Sequence, residues 1–358
     1  MILIEADFVP AATGLTPTMN KILACVSCLL LLVAGTWGQS PSTTMVIGAG
    51  GTFALPIYTR WLEDYQKLHP NLQLHYLAVG SGEGIRQVTT GAIDFGGSDL
   101  PMTDREMAAS KVNVSHFPIV LGAVVPAYNV PGPEKPLNFT PQVLAGIFLG
   151  SIVKWNHPAI AAVNSGVTLP SNEIVVVHRV EPSGTTYVWT DYLSKANLKW
   201  RTQVGKGAEV RWRTGMAARG NGGVVDAVKS TTYSIGYCEL TYALQNAVSY
   251  GLVQNAAGKF IRADPKSVTA AAAGVTFRIP GDFRVSITNA PGIDAYPIST
   301  FTWLLLPTKI EGDKKPILRD LVYWMLTSGQ NSQIESLGYA RLPGEIVHQE
   351  LDALEQIE

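Results

Sequence analysis

Arg179-Val180-Glu181-Pro182-Ser183-Gly184-Thr185-Thr186 lies between an apolar run, Ile174 to Val177, and a helical pattern in which Val188, Trp189, Tyr192 and Leu193 share one side. The stretch reads as a strand-to-helix junction, the unit from which α/β folds are built. Amides in the first turn of a helix have no intrahelical acceptor and point outward, so they donate to an anion. Ser183 and Thr185 add hydroxyls, and Gly184 lets a ligand approach the backbone closely. Arg179 adds a planar guanidinium suited to tetrahedral oxyanions. The segment reads as an anion grip.

Two further junctions carry the same donors. Gly48-Ala49-Gly50-Gly51-Thr52-Phe53 follows the apolar run Met45-Val46-Ile47, and Gly80-Ser81-Gly82-Glu83-Gly84 follows the alternating Leu72, Leu74, Tyr76, Ala78. One such junction usually means only a tight turn and a helix cap. Three of them, one beside an arginine, favour a ligand.

Asp99 sits at the tip of Phe95-Gly96-Gly97-Ser98-Asp99-Leu100-Pro101. A carboxylate beside an anion is unfavourable unless the anion carries a proton, as phosphate does and sulfate at neutral pH does not. The competing reading makes Asp99 a cap for the helix expected from Thr103-Asp104, or a group facing water.

Catalytic and metal chemistry find no support. The six histidines show no paired metal spacing. No Gly-x-Ser-x-Gly elbow or phosphate-loop motif occurs, and Gly48-Ala49-Gly50 lacks the third glycine of a dinucleotide fingerprint. We therefore expect no catalytic residue, no metal and no cofactor. His178, next to Arg179, is expected on the opposite face of its strand.

Along the chain, Ile57, Trp61, Tyr65 and Leu68 form one helical face that ends at His69-Pro70. Phe117 to Val125 and Ile174 to Val177 read as buried strands of a mostly parallel sheet, and Phe301 to Leu306 as a late strand. Ile317 to Leu326 and Val347, Leu351, Leu354 read as amphipathic helices, and Asn255 to Arg278 as a peripheral excursion.

Residues 1–38 read as a separate leader. Met19-Asn20-Lys21 is a positive start, Ile22 to Ala34 is apolar and too short to span a bilayer, and Thr36-Trp37-Gly38 suits cleavage before Gln39. Met19 is the expected start of translation. Ile22-Leu23-Ala24-Cys25 is loosely lipobox-like, but its apolar run follows the cysteine, so an exported, cleaved protein is the preferred reading. Without the leader, basic and acidic residues are equal in number and Cys238 is the one cysteine left. That balance argues against nucleic acid or an anionic membrane as partner, and it means an anion must be captured by local donors. Cys238 reads as a buried small hydrophobe.

Taken in order, these motifs resemble the phosphate-specific periplasmic binding proteins of phosphate ABC transporters. The resemblance covers about residues 44–350 and extends to Lys154-Trp155-Asn156, Gly220-Asn221-Gly222-Gly223, Ile235-Gly236-Tyr237 and Ala295-Tyr296-Pro297-Ile298. It implies an α/β, two-domain periplasmic-binding-protein (type II) fold with a ligand cleft between domains joined by two hinge crossings. The expected division is residues 39–121 with 295–358, against 122–294. It further implies that inorganic phosphate is bound by Thr52, Phe53, Ser81, Asp99, Arg179, Ser183, Gly184 and Thr185, with Asp99 accepting the ligand's proton. Implied too are a periplasmic, monomeric, non-enzymatic protein and delivery to permease and ATPase subunits. Where the family has an aspartate behind the arginine, this chain has Glu181, followed by Pro182 in place of glycine. Glu83, inside a binding loop, must turn away from the anion.

Overall fold

The computed structural model describes residues 43–275, 279–330 and 333–358. The expected leader, 1–38, with Met19, Cys25 and the cleavage point before Gln39, lies outside them. Thr44–Glu358 form one compact unit.

The described strands, in chain order, are β1 (Thr44–Gly50), β2 (Leu72–Ala78), β3 (Phe95–Ser98), β4 (Val114–Asn129), β5 (Asn138–Phe139), β6 (Val175–Arg179), β7 (Met216–Ala218), β8 (Ser234–Glu239), β9 (Ser249–Tyr250), β10 (Leu252–Gln254), β11 (Phe260–Ile261) and β12 (Ser299–Pro307). One sheet runs β2-β1-β3-β12-β4-β8-β6-β7 with β9 beside β4, and β11-β10-β5 form a smaller one. The axis of the molecule is β4, an almost wholly buried strand rich in valine and aromatic residues. Its first part, Val114–Ala123, pairs with β12, and its second, Val124–Asn129, pairs with β8.

These central pairings are antiparallel, as is β12 with β3, whereas β1 with β2 and β3, and β6 with β7 and β8, are parallel. The expectation of a mostly parallel sheet is corrected to a mixed one. An apolar run records burial on both faces and carries no mark of a neighbour's direction.

β1, β2 and β6 each turn at their C-terminal ends into a helix: Leu55–Leu68, Ser81–Thr89 and Gly184–Ala196. The carboxyl ends of parallel strands are where open α/β sheets form ligand crevices. Gly80 makes its turn at φ 100°, a conformation glycine adopts without Cβ strain.

Three helical readings need adjustment. Ile57, Trp61 and Tyr65 are buried, but Leu68, at the last position of its helix, is 63% exposed. Helix Gly344–Glu355 buries Ile346, Glu350 and Leu354, leaving Val347 and Leu351 half-covered. Helix Pro265–Ala273, inside the expected excursion, packs against β4 and β12 with Val268, Ala271 and Ala272 in the core. Alanine's small side chain allows that close approach, which a reading by hydrophobicity undervalues. Cys238 is buried and unpaired, as expected.

Candidate anion site

Arg179 ends β6 with only 3% of its surface exposed. Its amide donates to Tyr237 Oη (3.1 Å), which is itself bonded to Thr186 Oγ1 (2.7 Å). The guanidinium donates through Nε to Glu181 Oε1 (2.9 Å), through Nη2 to the same oxygen, and through Nη1 to Thr185 Oγ1 (3.3 Å). Gly220 N also donates to Glu181 Oε1 (2.9 Å), while Oε2 has no partner among the described residues. Burial works against an ionised Glu181, but the guanidinium and the Gly220 amide outweigh it and hold its carboxyl below the usual range. The departures at Glu181 and Pro182 thus leave the arginine firmly held. His178 stacks on Trp212, with ring centroids 4.9 Å apart.

The positive charge of Arg179 is largely answered by Glu181, so the remaining attraction for an anion comes from oriented dipoles. Ser183 caps helix Gly184–Ala196, its Oγ accepting from Thr186 N (3.1 Å). The next amides, of Gly184 and Thr185, begin the helix and lack intrahelical acceptors. The amides of Thr52 and Phe53 likewise find no acceptor among the described residues. Phe53's ring is core, tilted against Tyr339 at 6.3 Å, and its carbonyl accepts from Tyr339 Oη (2.6 Å), which fixes the loop that presents the amide.

Asp99 is 1% exposed and lies against these donors. Thr302 Oγ1 donates to its Oδ1 (2.8 Å), and Ser81 Oγ lies 3.3 Å from both its Oδ2 and its amide. Burial pushes its pKa up to about 6, against the opposing pull of Thr302, Arg179 and Ser81. A Cβ placed on Gly184 would lie 2.5 Å from Ser81 Oγ and 2.6 Å from Asp99 Cβ and Oδ2. Glycine is therefore required where the arginine's loop meets the loops of Ser81 and Asp99. Gly82 N to Pro182 O (3.4 Å) closes the same seam.

The structure brings Thr52, Ser81, Asp99, Arg179, Ser183, Gly184 and Thr185 to one buried locus with the Phe53 backbone, and Glu181 stands behind Arg179. The capping alternative for Asp99 is not realised: Thr103 caps helix Asp104–Ala109 in a reciprocal pair with Glu106. Glu83 turns outward to Arg86 (2.7 and 2.6 Å). Sequence reading missed Thr302, which holds Asp99, and Asn221, fully buried at the start of helix Gly220–Ser230. Asn221 Nδ2 reaches both Thr52 Oγ1 (3.0 Å) and Thr185 Oγ1 (3.2 Å). Its glycine-flanked motif was a visible signal.

A family described as the PBP superfamily domain matches residues 37–328. The phosphate-binding protein PstS of Xylella fastidiosa is 40% identical over 314 residues, 87% of this chain and 85% of its own length. PstS of Pasteurella multocida is 38% identical over 324 residues, 89% and 92% of the two chains. Among solved structures, a high-affinity periplasmic phosphate-binding protein (PfluDING) bound with phosphate superposes with a TM-score of 0.67 at 21% identity, covering 86% of this chain and 93% of that one. A phosphate ABC transporter substrate-binding protein from Clostridium perfringens gives 0.61 at 16%, covering 84% and 100%. These likenesses establish the type II periplasmic-binding-protein fold. The chain belongs to the PBP superfamily and, within it, to the phosphate-binding protein PstS family.

Proposed function

We propose that this protein binds inorganic phosphate outside the cytoplasmic membrane and delivers it to the permease and ATPase subunits of an ABC importer, acting as a monomer and performing no chemistry itself. The observation that carries this reading is a buried carboxylate, Asp99, set among amide, hydroxyl and guanidinium donors. Such a site suits an oxyanion with one proton to give and many oxygens to be solvated. Thr52, Ser81, Ser183 and Thr185 supply hydroxyls, Phe53, Gly184 and the helix starts supply amides, and Arg179 supplies the charged fork. The family membership supports the same ligand.

The division into residues 39–121 with 295–358 against 122–294 is part of the proposal. It is supported by β4 changing partners between Ala123 and Val124, and by Tyr296 Oη donating to Val124 O (2.9 Å) where the chain returns. Closure about that hinge expels water and joins the half-sites. Export through a leader cleaved before Gln39 completes the reading; among the described residues no helix is long and apolar enough to cross a membrane.

Calorimetric titration of the chain from Gln39 with phosphate tests the proposal. Saturable binding at micromolar affinity or better, about −8.2 kcal/mol, is expected. No heat and no shift in melting temperature would remove it, and turnover of a chromogenic phosphomonoester would favour a phosphatase instead.

A further inference from the structure

Asn221 occupies a position that decides more than packing. Its Oδ1 accepts from the Glu239 amide (2.9 Å), and a backbone N–H can only donate. That contact fixes the orientation of the side-chain amide, so the other atom is the NH2 group. The two N–H bonds of that group run to Thr52 Oγ1 and Thr185 Oγ1, and the backbone amide of Asn221 adds a second donor to Thr52 Oγ1 (3.2 Å). Thr185 Oγ1 receives its second donor from Arg179 Nη1 (3.3 Å).

A hydroxyl has two acceptor lone pairs and one O–H. In both threonines the two lone pairs are already filled by N–H donors, and neither O–H has a protein acceptor among the described residues. Each hydroxyl is left with one free function, to donate. We infer that Asn221 is a positioning residue that locks Thr52 and Thr185 as obligate donors, making Asp99 the one acceptor for a ligand proton among these three side chains. The inference rests on the phosphate reading of the site and deepens it. Fixing hydroxyl polarity turns a site that tolerates protonated oxyanions generally into one that counts protons. Monohydrogen phosphate satisfies Asp99 and both threonine hydroxyls together, and a second ligand proton finds no acceptor in either threonine. Asn221 also ties the two proposed lobes, since its side chain touches Thr52 on one side and Thr185 on the other.

Two substitutions separate this from a packing role. Asn221→Asp keeps the acceptor for Glu239 N and the side-chain shape, but presents an oxygen that accepts both threonine O–H groups and so withdraws two donors from the anion. Asn221→Ala frees lone pairs on both hydroxyls, which can then rotate to accept from a ligand proton. Phosphate affinity is measured by calorimetry from mildly alkaline to mildly acidic pH, across the second ionisation of phosphate. Asn221→Asp is expected to weaken binding at least about a hundredfold at alkaline pH, two lost bonds to a charged ligand. Asn221→Ala is expected to lose about tenfold there, and to lose less than wild type further into acid, so that its profile is flatter.

The effect is also expected to run through the hydroxyls. In a Thr52→Val, Thr185→Val background, Asn221→Asp should cost less than in wild type, because only the repulsion between the new carboxylate and the anion is left. An Asn221→Ala profile parallel to that of wild type, or an Asn221→Asp cost undiminished by loss of both hydroxyls, would overturn the inference while leaving the phosphate reading intact. If Asn221→Asp does not fold, the alanine profile alone decides. Wild-type protein that binds no phosphate overturns both.

Discussion

Replacing Asp99 by asparagine should stabilise the ligand-free protein and at the same time blunt its selectivity. Burial raises the carboxyl from its ordinary value of 3.8 to about 6. A folded pKa above the unfolded one means that the contribution of this group is fully present below the unfolded value and is lost as pH rises through about 6. The difference is roughly 3 kcal/mol of native-state cost at alkaline pH. Asparagine can still accept from Thr302 Oγ1, and the charge assistance it forgoes is already counted in the raised value, where Thr302 opposes burial. The gain for the ligand-free variant is about 3 kcal/mol at pH 8, a rise of ~4 °C in melting temperature, and it nearly vanishes at about pH 4. Thermal melts of phosphate-stripped wild type and Asp99→Asn at both pH values measure it. In parallel, the variant should show a smaller phosphate-over-sulfate affinity ratio, because the amide can donate to an unprotonated oxygen. A variant destabilised equally at both pH values would refute the electrostatic argument, and an unchanged ratio would return Asp99 to a structural role.

Other expectations follow from the same geometry. Arg179→Ala should weaken phosphate binding by ~3 kcal/mol or more, against about 1 kcal/mol for Ser183→Ala, because it also leaves Glu181 buried, charged and facing the anion; calorimetry of the two variants checks the order. Gly184→Ala should preserve the helix yet hold the two half-sites apart, since the added methyl would meet Ser81 and Asp99; phosphate-dependent shrinkage in solution scattering, expected for wild type, should be absent, and wild-type compaction would show that the seam yields. Glu350, buried with neither oxygen partnered among the described residues, is held well above the usual carboxylate range by burial. Glu350→Met should therefore stabilise the fold by ~1–3 kcal/mol at neutral pH, with the gain shrinking as pH falls toward 4, as denaturant titrations at two pH values would record.

The site was legible where its chemistry is local. Arg179 to Thr185 announces itself because a helix start, its cap and a guanidinium fall within seven residues, and Thr52 and Ser81 sit at similar glycine-rich junctions. Asp99 was ambiguous from its own neighbours, and the resemblance to phosphate-binding proteins supplied its role. Thr302 was not identified, since its partner Asp99 is 203 residues away in sequence and no local pattern encodes such a meeting; Asn221 stood in a visible glycine-flanked motif, but its partner Thr52, 169 residues away, was not legible from it. Strand direction was misjudged for a related reason: β4 is apolar throughout whether its neighbours run with it or against it. Glu350 escaped notice because a charged residue on a helix is ordinarily a solvated one.

The central claim is that a buried acceptor selects an anion by its proton. The most direct test is calorimetric competition at neutral pH and constant ionic strength, titrating phosphate into wild-type protein with and without a large excess of sulfate. The account predicts the same phosphate affinity in both, since a site that requires a ligand hydroxyl rejects an analogue lacking it by about four orders of magnitude. Phosphate binding that weakens in proportion to sulfate would contradict it.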